Sequence, residues 1–120
     1  MWGTLLGAFC ERGNEASTRC LELWAYPDTT LNLVINQADS FGDLEYAFPC
    51  SPYQLLGVLR DQSFRAQTAD GTVLISRDGD TVRATFTPAS GSEGWQHTVA
   101  VEPFASALKA VVPEATRFAA

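Results

Sequence analysis

One histidine, three cysteines and eight lysines and arginines occur among 120 residues, and each shortage excludes something. Against fourteen aspartates and glutamates, the eight cations leave a net charge of -6. That is the wrong sign for wrapping a phosphate backbone, whose affinity comes from clustered cations releasing counterions. Nucleic acid is therefore not an expected partner. A single histidine removes most zinc-hydrolase sites, and a Cys3His site would need Cys10, Cys20, Cys50 and His97 to converge with no short ligand pair to nucleate it. The cysteines are odd in number, far apart and not arranged as CxxC, so a secreted disulfide framework is not expected and reduced thiols in a cytoplasm fit better. No GxGxxG, P-loop or GxSxG is present, which leaves nucleotide binding and serine-hydrolase chemistry without a motif. The opening "MWGTLLGAFCERG" has an apolar patch with no preceding cation, and it is too short to span a bilayer.

What is present suffices for one folded domain over residues 1–120: 46% of the residues are apolar and 11% aromatic, enough to bury a core. "CLELWAY", "TLNLVIN" and "DLEYAF" alternate apolar and polar residues and predict three strands, with turns at 27–29 and 37–43. Ser51 then offers an N-cap and Pro52 a first helical residue, and Leu55, Leu56 and Leu59 share a helical face that Arg60 and Asp61 close. Beyond it "SFRAQT", "TVLIS", "TVRATFT" and "WQHTVAV" predict four strands, with Asp70-Gly71 and Asp78-Gly79 as tight turns. Phe104, Ala107, Leu108 and Val111 predict a last helix that stops before Pro113. In residues 1–10, Trp2, Leu5, Leu6 and Phe9 fall at i, i+3, i+4 and i+7, one stripe of a short helix, although "TLLGAF" reads equally well as a strand.

The two halves echo each other. Pro52 and Pro103 lie 51 positions apart, and the same offset superposes Leu23 on Leu74, Leu31 on Val82, Ile35 on Phe86 and Phe48 on Val99. The expected architecture is α+β: two antiparallel strand-rich units, residues 20–61 and 71–112, each followed by a helix, with a short N-terminal helix or strand. A three- or four-stranded meander has one apolar face that a short helix covers only in part, so two such units gain by sharing one core.

Candidate chemistry meets a plainer reading at each position. His97 shares strand parity with Trp95, Val99 and Val101, which makes it a core or interface histidine rather than a general base, with or without Cys50 as nucleophile. Asp28, Asp70, Asp78 and Asp80 sit beside turn signals, where aspartate hydrogen-bonds the backbone. No catalytic residue, cofactor or metal is expected. Aromatic side chains are the stronger signal. If Leu21 and Leu23 face the core, parity sends Trp24 and Tyr26 away from it, and rings so placed need cover from the N-terminal stripe, a second subunit or a partner protein. The candidate partner and oligomer contacts are therefore Trp2, Leu5, Leu6, Phe9, Trp24 and Tyr26.

With these residues in view, the order of elements resembles the whirly-type fold. Within that class "LELWAYPDTTLNLVI", "LEYAFPCSPYQLLGVL", "DGTVLIS" and "FASALKAVVPEAT" resemble segments of the SsgA-like sporulation and cell-division proteins of actinomycetes. That resemblance implies a non-enzymatic adaptor that self-associates and recruits other proteins, without metal or cofactor. A small acidic chain ordered helix, strands, helix, strands, helix also resembles the type III secretion chaperones, which dimerise and hold an unfolded effector segment. The expectation is a cytoplasmic, homo-oligomeric protein-interaction adaptor with no membrane contact. An acidic chaperone for a secreted client, or an inhibitor of a basic toxin or nuclease, is the alternative.

Overall fold

Among the described residues of the computed structural model (3–12, 18–28, 30–39, 42–91 and 94–118), the alternating runs become eight strands and the capped runs become two short α-helices. The order is β1 (Thr4–Arg12), β2 (Thr18–Ala25), β3 (Leu31–Asp39), β4 (Gly42–Cys50), α1 (Pro52–Leu59), β5 (Phe64–Thr68), β6 (Gly71–Asp78), β7 (Thr81–Pro88), β8 (Trp95–Ala100), α2 (Val101–Leu108) and a 3₁₀ turn, Pro113–Phe118. β1–β2–β3–β4 form one antiparallel meander and β5–β6–β7–β8 a second. This is the expected α+β plan of two sheets, each followed by a helix.

Period-two alternation gives each sheet one apolar face. Leu23, Leu33 and Phe48 stand in one row across β2, β3 and β4, and Ile75, Ala84 and His97 do so across β6, β7 and β8. The two inner faces meet at Phe86, whose ring stacks on Tyr46 at 4.8 Å and meets Phe48 edge-on at 5.9 Å. Residues of both units belong to one core cluster. The helices interlock the units: α1, which follows the first sheet, packs on β5 and β6, and α2 reaches back to β1. Ala107 of α2 lies so close to β1 that a Cβ built on Gly7 would stand 2.8 Å from its Cβ. Only glycine at that position lets the helix approach.

Each helix start finds N–H acceptors outside the helix, by different means. Ser51 accepts from the Tyr53 N–H at 3.1 Å while Gln54 Oε1 accepts from the Ser51 N–H at 2.8 Å, a capping box followed by Pro52. α2 has no side-chain cap; its Val101 N–H donates to the Asp80 carbonyl at 2.8 Å, so a hairpin turn supplies what the cap residue does not.

The structure resolves one expectation left open and corrects three. Residues 4–12 are a strand and not a helix: a bulge between Leu5 and Gly7 in the pairing with β2 turns Leu6 toward the core together with Phe9. An inserted residue reproduces the three-residue spacing of a helical stripe within a strand. The two-residue hairpin loops are Ala69–Asp70 and Gly79–Asp80, the first one residue before the expected pair and the second one residue after it. The repeat offset holds for β3 and β7 but slips by one residue in β2 and β6: Leu21 and Leu23 correspond in burial to Val73 and Ile75, whereas Leu74 is 42% exposed. A slip of one residue reverses the faces, so the Leu23/Leu74 identity carries no structural equivalence. Finally, Cys10 and Cys20 are not separate reduced thiols. They stand directly opposite each other across β1 and β2 and form a disulfide, a pairing that becomes visible only once β1 is a strand.

Candidate functional site

Five of the six candidate contact residues divide among three places. Leu6 and Phe9 turn inward; Phe9 lies 6.0 Å from Phe104 of α2. Leu5 is 45% exposed and stands opposite Trp24, and parity puts both on the outer face of the first sheet. There the Trp24 Nε1–H donates to Glu22 Oε1 at 3.0 Å. Tyr26 lies just past the end of β2 and lines a cleft with Thr30, Pro49, Ser51, Pro52 and Tyr53. Trp2 lies outside the described residues. Chain just ahead of β1 links the second and third places, since a Cβ on Gly3 would touch both the Tyr26 and the Trp24 rings. Leu5, Trp24, Tyr26 and the cleft thus form one partly exposed aromatic strip.

The cleft encloses about 770 Å³. Its floor is the entry to α1, where Pro49 and Pro52 flank the capping Ser51, and Tyr53 projects from the first turn with 70% of its surface exposed. Nothing in the alternation of β4 marks Tyr53, because its exposure follows from its place on the outer side of a helix. The signal available in the sequence was the helical phase itself: Leu55, Leu56 and Leu59 face in, so Tyr53 faces out. At the rim the Thr30 hydroxyl donates to Asp28 Oδ1 at 2.6 Å and the Thr30 N–H donates at 3.2 Å. These bonds hold the Asp28 carboxyl below its usual range, so the rim carries a negative charge.

Cys50 also borders the cleft. Burial pushes its thiol up to about 12, against a smaller opposing effect of a hydrogen bond with the Leu33 backbone. A neutral thiol is a poor nucleophile. Alkylation of native Cys50 at pH 8 is expected to run roughly a thousandfold slower than that of an ordinary thiol, as read by intact-mass spectrometry. A rate equal to that of the urea-unfolded chain would refute the burial argument. Because the folded chain resists ionisation here, the thiol's contribution to stability is whole below its ordinary value of 9.0 and is lost as pH rises toward about 12.

His97 is 3% exposed in β8, a core position as its parity implied. Cys10 and Cys20, being bonded to each other, are not available as thiolate ligands, and no group of three or more His, Cys, Asp or Glu among the described residues could hold a metal. No helix among the described residues is long and apolar enough to cross a membrane. No protein-family model matches the chain, and no curated protein matches it.

Proposed function

We propose that the protein is a non-enzymatic interaction adaptor that self-associates and binds a protein partner through the strip formed by Leu5, Trp24, Tyr26 and Tyr53. The observation that carries this reading is the cleft beside α1: two tyrosines and two prolines around an open concavity, with the one bordering thiol held neutral. Tyrosine supplies a large amphipathic contact at little entropic cost, and aromatic residues dominate the energetics of many interfaces. Proline-flanked tyrosines also suit an extended peptide segment. The first described element is a strand, whereas the chaperone likeness was to a helix in that place, which favours the SsgA-like resemblance. The Cys10–Cys20 disulfide removes the reduced thiols that favoured a cytoplasmic location, since disulfides persist in oxidising compartments.

Tyr53→Arg tests the reading, because a 70% exposed residue can be changed with little effect on folding. Wild type at micromolar concentration is expected to sediment above the 13.0 kDa of one chain and to retain a partner from host lysate. The variant is expected to lose about tenfold or more in either affinity. A monomeric wild type that retains nothing, or a variant that behaves as wild type in both assays, would overturn the proposal.

A further inference from the structure

A second cleft, of about 410 Å³, lies between the end of α1 and the 3₁₀ turn, and it gathers Arg60, Arg77 and Arg117. Those are three of the eight cations in a chain of net charge -6. Among the described residues none of them has a carboxylate within ion-pair distance; that pairing occurs there between Arg83 and Asp78, on the outer face of the second sheet. Asp61 borders the same cleft but pairs with none of the three. Like charges gathered in one cleft repel one another unless an anion compensates them.

Two of the three guanidinium groups are held in place. Arg77 donates through Nη1 to the Leu59 and Phe118 carbonyls and through Nε to the Gly79 carbonyl, which uses three of its five N–H donors and leaves the Nη2 pair. The Arg60 guanidinium lies 5.7 Å over the Phe118 ring, a stacking that leaves its in-plane donors open. Arg117 is exposed beside them. The fold accounts for Arg77, which ties three backbone segments together, whereas no hydrogen bond to another described residue engages the donors of Arg60 or Arg117.

We propose that this cleft binds a phosphate dianion, as the free ion or as a monoester. A guanidinium presents a planar fork of donors that matches phosphate and carboxylate oxygens. A phosphate group offers three strong acceptor oxygens and close to two negative charges, enough for the forks of Arg60 and Arg117 and the remaining Nη2 donors of Arg77, whereas a carboxylate offers two oxygens and one charge. The Arg77 guanidinium is fixed beforehand by backbone carbonyls with Nη2 left to donate, so little ordering is needed at that group when the anion enters. The site shares no residue with the tyrosine cleft and does not depend on the adaptor reading.

The test is titration of the full chain, followed by amide NMR, with inorganic phosphate in one arm and a short phosphoserine peptide in the other. Saturable shifts at Asp61, Gly79 and Phe118 are expected in at least one arm, and the tighter arm identifies the source of the phosphate. Arg60→Gln and Arg117→Gln are each expected to weaken binding about tenfold or more, while Arg83→Gln leaves it unchanged. Arg117→Gln is the decisive variant, because that side chain is exposed and has no part in the packing described above. Absence of saturation in both arms, equal shifts with acetate, or binding that survives the Arg60→Gln/Arg117→Gln double variant would overturn the proposal.

Discussion

Replacing Phe86 by alanine is expected to cost about 3–5 kcal/mol, the usual range for deleting a buried phenyl ring, and to do so for both sheets at once. Phe86 is 2% exposed on β7, and its ring is the point at which Tyr46 and Phe48 of the first sheet meet the second. The loss combines the transfer term of the ring with a cavity between two sheets whose backbones are fixed by their own ladders and cannot close on it. A small domain is stable by only about 5–15 kcal/mol, so the variant would sit close to unfolding. Urea denaturation followed by hydrogen exchange separates the outcomes. Protection should fall together in β2–β3 and in β6–β7, because one core serves both units. A fall confined to β5–β8 would mean that the sheets are stabilised independently and that the shared core is a contact between two domains.

Much of this arrangement was legible in the alternation of residues, and what was not has identifiable causes. β2 to β8 follow runs of two-residue period, and both helices follow a proline at or near the start with apolar residues at helical spacing. β1 was ambiguous because its bulge places Leu6 and Phe9 on the same side, a spacing that a regular strand forbids and a helix requires. That ambiguity concealed the disulfide too, since Cys10 and Cys20 are neighbours only in the register of two paired strands. Leu44 marks another limit. It has the inward parity of Tyr46 and Phe48 yet is 51% exposed, because alternation fixes the side a residue points to and not whether anything is packed there. Trp24 and Tyr26 are legible in strand parity, but Tyr53 is not, and neither is the arginine cleft, whose members come from α1's end, β6 and the C-terminal turn and share no local pattern.

Arg77→Met is expected to be the most damaging single change at a charged position, lowering stability by about 2–4 kcal/mol, since hydrogen bonds made by an ionised donor contribute about 1.5–3 kcal/mol each and the acceptors left behind lose their partner. Methionine keeps most of the aliphatic length, which isolates the guanidinium from the packing of its stem. Three carbonyls lose a donor: Leu59 at the end of α1, Gly79 in the β6–β7 turn and Phe118 in the 3₁₀ turn. The first and last are partly buried and distant in sequence, so the break should appear first where the chain is held by least else, at the C-terminal turn. Exchange of the Ala115 amide, which donates to the Val112 carbonyl at 3.0 Å, should accelerate more than exchange of any amide in β6 or β7, and the urea midpoint should fall. Arg77→Lys should recover only part of the loss, because an ammonium is a point donor and cannot span three carbonyls in a fixed plane. A midpoint unchanged in Arg77→Met would show that the 3₁₀ turn is held by Val112, Ala115 and the Arg60–Phe118 stacking without help from Arg77.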